Sequence, residues 1–172
     1  MKKTYGHLLL FAGLGFAQCS SKNNDPAPVN PIAANTASVI IDGKAFPVDI
    51  SRSGATVDAK TGELRVGLST SDPLGPFVLV RVFEFRNKAE QIQFATGSSS
   101  SIIVGGGFNP GSGGDYDTNS CGTMTRAIEI VEVNQTNKTV SVRFSGNACG
   151  GQNSAQQKTV RDGQCNLPYV VK

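Results

Sequence analysis

The chain has 172 residues, of which 38% are hydrophobic and only 17% are charged, and its formal net charge is +3. This length and apolar fraction suit one domain with a buried core. The small net charge, scattered along the chain, excludes the electrostatic footprint of a nucleic-acid-binding protein. Twenty glycines, with turn-forming clusters between short apolar runs, indicate an all-β fold.

The first residues are typical of an export signal. Lys2 and Lys3 form a basic start, and the apolar run 8–17 is too short to span a membrane. Cys19 follows at once, so residues 1–18 are similar to a bacterial lipoprotein signal peptide. In that arrangement the cysteine is lipidated and becomes the first residue of the mature protein.

A second interpretation of the same segment stays open. Gln18 stands where lipoprotein signals normally carry Gly, Ala or Ser. Residues 15–17 also read as an ordinary signal-peptidase site, with small residues at both required positions. Cleavage there would leave Cys19 as a free thiol near the new terminus. Either interpretation exports the protein, and we expect a lipid-anchored protein at the outer membrane or the cell surface.

Residues 19–36 predict a flexible tether. This segment contains three prolines, several amides and few apolar side chains, a composition that stays extended and buries too little surface to fold. A single β domain is therefore expected over residues 37–172. Removal of Lys2 and Lys3 with the signal leaves 14 basic residues against 13 acidic ones, so the mature chain is nearly neutral and no nucleic-acid partner is expected.

The domain opens with a hairpin signal. Residues 38–41 are followed by Asp42 and Gly43, which favour a tight turn, and then by the strand candidate 44–50. Pro47 lies inside that second strand and has no backbone N–H to donate. We therefore expect the strand to be an edge strand or to carry a bulge.

Further strands are predicted in the first half of the domain. Residues 55–59 and 63–69 form a second hairpin, and the alternation in the latter run predicts one buried face. Residues 77–85 are apolar at both parities, which predicts a central strand covered on both faces. Arg81 would then need a partner or an exit to water. Shorter candidates are 91–94 and 101–104.

A glycine-rich loop is predicted over residues 105–120. If the domain binds a ligand, the exposed candidates are Phe108, Asp115, Tyr116, Asp117 and Asn119. The two aspartates and the asparagine stand at positions 1, 3 and 5 of a calcium-type loop. Position 6 is Ser120 instead of glycine, and position 12 is Arg126 instead of glutamate. We therefore predict a solvated loop, no cofactor, and at most weak calcium binding.

The longest strand signals flank the polar turn 134–137. Apolar residues recur with a period of two on both sides of it, at Ile128, Ile130, Val140, Val142 and Phe144. That period is the one expected of strands with one buried face. The turn residues Asn134 to Asn137 tolerate a chain reversal, so an antiparallel hairpin is predicted.

The same hairpin predicts a disulfide. A register that pairs Ile130 with Val140 places Cys121 opposite Cys149, and directly opposed residues lie roughly 4.5–5.5 Å apart, within disulfide reach. A register changed by two residues would place Cys121 opposite Gly151 instead. No C-x-x-C motif and no helix start lowers a thiol pKa here, so the bridge is expected to be structural.

Cys165 is the remaining cysteine after lipidation, which leaves one bridge and one spare thiol. A competing bridge between Cys149 and Cys165 meets a problem of distance, because Cys165 is expected to face the Val140 region. Nine residues of strand separate that level from Cys149, roughly 30 Å at the usual rise. A loop that folds back would still allow it.

The closing runs 158–165 and 169–171 bring the total to nine or ten strands. Their number and spacing predict an antiparallel β-sandwich or a partly open β-barrel. The order of signal, cysteine, tether, IDGKAF, KTVSVRFSG and RDGQCNLPY resembles a family of small β-rich lipoproteins of Bacteroidetes. Their ends commonly read as a valine-rich strand with Gly-Thr-Phe-Ser, then Asp-Gly-x-Phe before a Pro-Tyr pair. Here Arg143 and Cys165 replace the Thr and the Phe.

That resemblance implies a β-rich envelope lipoprotein and supplies no catalytic residues. The only histidine of the chain, His7, lies in the signal. Cleavage of the signal would leave the mature chain without a histidine. That excludes Ser-His-Asp and Cys-His catalysis and zinc sites with histidine ligands. We therefore expect no enzyme, but a membrane-tethered β domain with a structural or ligand-binding role and an envelope protein or glycan as its partner.

Two alternatives to a non-enzymatic β domain each require a particular set of residues. A carbohydrate-binding accessory protein would need aromatic platforms, and the mature chain offers no tryptophan and only Tyr116 and Tyr169. A hydrolase working through two carboxylates would need a converging pair. Glu129 and Glu132 have opposite parity on one strand and so face opposite ways.

Overall fold

The computed structural model describes residues 30–92, 100–106, 115–123, 125–150 and 153–172. Within these residues eleven strands are hydrogen-bonded into one sheet, which confirms the all-β class. The strands are β1 (Thr36–Ile41), β2 (Lys44–Ala45), β3 (Asp49–Val57), β4 (Leu64–Ser69), β5 (Phe77–Val82), β6 (Glu90–Ile92), β7 (Ser101–Gly105), β8 (Tyr116–Asp117), β9 (Arg126–Asn134), β10 (Thr139–Gly150) and β11 (Asn153–Val171). A single 3₁₀ turn covers Thr118–Ser120. No helix in this part of the chain has the length and apolar character needed to cross a membrane.

A long antiparallel ribbon of β10 and β11 lies at the centre of the fold. The two strands have 12 and 19 residues and are paired from Thr139 and Pro168 at one end to Gly150 and Asn153 at the other. Each strand changes its second partner along its length. β10 pairs first with β9 and then with β8, and β11 pairs first with β1 and then with β3.

These partner changes divide the strands into two groups that share the ribbon. The first group has the order β2-β1-β11-β10-β9-β6, and the second has the order β3-β4-β5-β7-β8. The groups join where β3 meets β11 and where β8 meets β10. Seven of the described strands thereby close a ring. Among the described strands only the pairing of β3 with β11 is parallel, so the sheet is mixed where an antiparallel one was predicted.

One hydrophobic cluster draws on both groups of strands. In β4 the alternating residues are fully buried while Arg65 is exposed, which confirms the predicted buried face. β5 buries one face completely and leaves the other half-buried, so the prediction of two covered faces was only partly right. The fully buried side chains of these two strands are Leu64, Val66, Leu68, Val78, Val80 and Val82.

Two of the predicted runs are divided or joined differently in the structure. The predicted strand 44–50 is split into β2 and β3, because Pro47 lies between them and cannot donate to a ladder. The predicted runs 158–165 and 169–171 are instead one strand, β11. Pro168 is accommodated there because β1 pairs only as far as Asn166 and β3 begins its pairing at Tyr169. Pro168, which has no backbone N–H, therefore lies at a position where β11 pairs with neither β1 nor β3.

The residues just before β1 contact the sheet. Arg143 donates from Nη2 to the carbonyl oxygen of Asn30 at 2.5 Å, and Asn166 donates from Nδ2 to that of Ile32 at 3.0 Å. Ile32 is itself buried. The end of the predicted tether 19–36 is therefore attached to β10 and β11.

A buried carboxylate supplies the partner that Arg81 was expected to need. The side chain of Glu63 is only 3% exposed, and it accepts from Arg65 Nη2 at 2.6 Å and from Arg81 Nε at 2.7 Å. The guanidinium of Arg81 also lies 4.9 Å from the ring centre of Phe83. Hydrogen bonds from Arg65 and Arg81 outweigh the effect of burial and lower the pKa of Glu63.

Glu63→Gln is expected to lower the free energy of unfolding at pH 7 by about 2 kcal/mol, within the roughly 1.5–3 kcal/mol of a hydrogen bond to a charged group. Because the folded pKa of Glu63 is depressed, its stabilisation is present above the unfolded pKa and is lost as the pH falls through the folded pKa. The difference between wild type and variant should therefore shrink on acidification. Urea denaturation at a series of pH values measures both effects.

Glu132→Gln is the matched control, because Glu132 is exposed on β9. This variant should unfold like the wild type at every pH. Equal destabilisation by the two variants would contradict the assigned role of the buried carboxylate, as would a Glu63→Gln deficit that stays constant on acidification.

Candidate functional site

The predicted disulfide between Cys121 and Cys149 is present, with the two Cα atoms 5.1 Å apart. The register from which it was predicted is wrong. Ile130 pairs with Val142 instead of Val140, and a bulge in the ladder puts Val140 opposite Val133. The bridge therefore does not form across the hairpin, since Cys121 lies outside β9.

The bridge forms because of the residues between β8 and β9. Asp117 of β8 pairs with Cys149, and the 3₁₀ turn that follows returns Cys121 to the same end of β10. Asn147 then donates its backbone N–H to the carbonyl oxygen of Thr125 at 2.9 Å. The segment before β9 is thus attached to β10 at both ends.

Cys165 is a buried free thiol. It lies opposite Val142 of β10 and Ala37 of β1, two residue pairs from the predicted Val140 level. Burial raises its pKa to about 12, so the thiolate is scarcely populated at neutral pH. Cys149 lies opposite Gln157, eight residues from Cys165 along β11, and its bridge goes to Cys121 instead.

The described residues of the predicted ligand or calcium loop lie on β8, on the 3₁₀ turn after it and just before β8. Asp115 is exposed, and Tyr116 and Asp117 form β8 in extended conformation. The carboxylate of Asp117 accepts from the backbone N–H of Asn119 at 2.8 Å, and the amide oxygen of Asn119 accepts from Arg126. In the part of the chain that the structure describes, no three His, Cys, Asp or Glu side chains are grouped as a metal site would require. Phe108 lies outside the described residues.

A concave cleft of about 1450 Å³ lies beside the central ribbon. Its walls come from β1, β2, β9, β10 and β11 and from the turn after Cys121. Its apolar lining includes Val39, Ile40, Phe46, Val48, Ile128 and Phe144. Its polar lining includes Ser38, Thr123, Ser145 and Gln164. Of the sequence-predicted ligand residues that the structure describes, none lines this cleft.

Three of the four charged residues that line the cleft, Arg126, Glu129 and Arg143, interact with other protein groups. Arg143 forms an ion pair with Glu129 at 3.6 Å and also bonds the carbonyl oxygen of Asn30. Arg126 donates to Asn119, and burial lowers the pKa of Arg126 while the negative charge of Asp117 opposes that shift. The cleft therefore offers fixed dipoles and paired charges.

A bulge in β11 shapes one wall of the cleft. Gly163 pairs with Phe144 and Val160 pairs with Gly146, so β11 carries one extra residue between these levels. Asp162 has φ of 51°, a left-handed conformation that aspartate tolerates better than most residues. A Cβ atom at Gly163 would lie 2.4 Å from the ring of Phe144, so glycine is needed for this contact.

The Asp-Gly pair at 162–163 is the one signal in the sequence that pointed to this wall, because such pairs mark positions of positive φ. The other wall residues carry no motif. They come from strands that are distant in sequence and are brought together by pairing.

Glu129 and Asp162 are the carboxylates that line the cleft. They lie on β9 and β11, which are separated by β10, so their Cα atoms are two strand spacings or roughly 9.6 Å apart before any offset along the strands. Arg143 lies opposite Gln164, which adds an offset of two residues, roughly 6.6 Å. Glu129 is also paired with Arg143, so that carboxylate already has a protein partner.

Comparison of the chain with family models, curated proteins and solved structures finds no match. The resemblance to small lipoproteins of Bacteroidetes therefore stays a prediction. Lipidation at Cys19 stays a prediction as well, because that residue precedes the described part of the chain.

The double variant Cys121→Ala/Cys149→Ala is expected to lose about 3–4 kcal/mol of free energy of unfolding by the chain-entropy model, since the bridge joins residues 28 apart in sequence. Peptide mapping of the non-reduced protein should recover the Cys121–Cys149 pair. Iodoacetamide should label Cys165 only after denaturation, because this thiol is buried with a raised pKa. A free thiol at Cys121, or labelling of Cys165 in the native protein, would contradict the assignment.

Proposed function

We propose that this chain is an exported, lipid-anchored envelope protein whose β domain binds a ligand in the cleft and catalyses no reaction. The observation that carries the proposal is the cleft of about 1450 Å³. Sites for single small ligands usually measure roughly 300–1,000 Å³. The larger size of this cleft suits an extended ligand with several units.

The chemistry of the lining supports binding instead of turnover. The cleft mixes apolar side chains with hydroxyl and amide groups, whose dipoles orient a ligand without transferring a proton at neutral pH. Glu129 and Arg143 neutralise each other, and the mature chain has no histidine once His7 is removed with the signal.

A glycan is the ligand class that the polar lining favours. Ser38, Thr123, Ser145 and Gln164 offer hydroxyl and amide groups that donate to and accept from sugar hydroxyls. The ion pair of Arg143 and Glu129 adds charged donors and acceptors in fixed positions. The half-buried ring of Phe46 offers an apolar surface in the same cleft.

The attachment of the N-terminal segment supports a role close to the membrane. The carbonyl oxygen of Asn30 is bonded to Arg143, which also lines the cleft. Cys19 and Asn30 are eleven positions apart in the sequence, and a chain of that length reaches at most about 40 Å when fully extended. A lipid on Cys19 would therefore keep the cleft within that distance of the anchoring membrane.

The test is a glycan array probed with the mature chain carrying Cys19→Ser, so that no lipid contributes. We expect saturable binding to at least one polysaccharide fragment. Ala127→Trp should weaken that binding at least tenfold, because Ala127 is exposed and lines the cleft, and an indole there would fill it. The bound glycan should be recovered unchanged.

Ala59→Trp is the matched control, since Ala59 is exposed in the turn between β3 and β4 and does not line the cleft. It should bind like the wild type. Silence across plant and host glycans would contradict the glycan as the ligand. Equal binding by Ala127→Trp and the wild type would contradict the cleft as the site.

A further inference from the structure

A second, smaller pocket of about 290 Å³ lies beyond β2 from the cleft. It is situated where the two groups of strands approach each other, between β2 and residues 46–47 on one side and β7 and β8 on the other. Ala45 and Phe46 line both this pocket and the cleft. The remaining residues are specific to the pocket, so its chemistry is separate from that of the cleft.

The wall of this pocket is apolar. Its side chains include Ile41, Phe46, Pro47, Pro76 and Val104. Three of them, Ile41, Phe46 and Val104, also belong to or pack against the hydrophobic core, so their positions are set by core packing. An apolar group that enters the pocket would therefore meet a largely preformed surface.

The polar side chains of the pocket are cationic or neutral. Those lining it in the described part of the chain are Lys44, Lys158 and Tyr116, with no carboxylate among them. Lys158 is already paired with Asp42 at 2.7 Å, and its Nζ lies 5.6 Å from the ring centre of Tyr116. One lysine charge is thus balanced by Asp42.

Lys44 provides the second positive charge. It lies on β2, is exposed, and is close enough to Asp42 to lower the pKa of that carboxyl. The single carboxylate of Asp42 faces two ammonium groups, so the pocket has an excess of one positive charge. A small apolar wall with one excess cation at its rim is complementary to an amphiphile with one negative charge.

We propose that this pocket binds a small apolar carboxylate. The hydrocarbon or aromatic body of the ligand packs against Phe46, Pro76 and Val104, and its carboxylate faces the ammonium group of Lys44. The hydroxyl of Tyr116 lies at the same rim. The proposal does not rest on the glycan proposed for the cleft, although Phe46 lines both sites.

Isothermal titration calorimetry of the mature Cys19→Ser chain with octanoate tests the proposal. We expect saturable binding of octanoate, weaker binding of the neutral octan-1-ol, and no saturable binding of trimethyloctylammonium. Tight binding of the cation, or the absence of a saturable octanoate isotherm, would overturn the proposal.

Lys44→Gln should weaken octanoate binding about three- to fivefold, which corresponds to the upper range for one exposed ion pair. Octanol binding should not change. Lys60→Gln is the matched control, because Lys60 is exposed in the turn between β3 and β4 and does not line the pocket. Equal octanoate affinities of the two variants would overturn the role of Lys44.

A pair of glycine variants separates the pocket from the cleft. Gly106 lines the pocket and Gly122 lines the cleft, and at both positions a Cβ atom would meet nothing within 4 Å. Gly106→Trp should weaken octanoate binding at least tenfold, and Gly122→Trp should leave it unchanged. The reverse result, or equal weakening, would overturn the location of the site. The Lys44→Gln comparison remains decisive if Gly106→Trp does not fold.

Discussion

The fold depends on the pairing of β10 with β11 over their whole length. A strand can form hydrogen bonds along only two edges. One edge of β10 pairs with one edge of β11. The remaining edge of each strand is then shared by two successive partners, so all other strands attach to the ribbon directly or through a neighbour. The outer strands β2 and β6 have only two and three residues. Such short edges offer little template for pairing with another chain.

The buried face of several strands could be predicted from the sequence, because buried side chains alternate with exposed ones at a period of two residues. The alternation of Leu64, Val66 and Leu68 gave the buried face of β4, and the same period in β9 and β10 gave the hairpin. The sequence predicted that Arg81 needs a partner but did not identify the residue. That partner is Glu63, which directly precedes β4. Its position beside Arg81 depends on how β4 and β5 pair.

The register between β9 and β10 could not be predicted from the sequence, and the reason is geometric. A shift of two residues keeps every side chain on the same face of the sheet, so burial alone does not distinguish Ile130 opposite Val140 from Ile130 opposite Val142. The disulfide was predicted correctly from a wrong register because both arrangements bring Cys121 to the end of β10 that holds Cys149. The cleft was missed because its residues come from separate strands and share no motif. Only the Asp162 bulge left a local signal.

The contrast between the cleft and the smaller pocket follows from how each satisfies its charges. In the cleft Arg143 is bonded to Glu129 and to the backbone of Asn30, so a bound ligand gains little from a net charge and must be recognised by hydrogen bonds. Beside the pocket one carboxylate, Asp42, is shared by Lys158 and Lys44, so one positive charge is left unbalanced next to an apolar wall. An anion attracted there would not need to break an internal ion pair. We therefore propose ligands of opposite character for the two sites, neutral and polar for the cleft, anionic and apolar for the pocket.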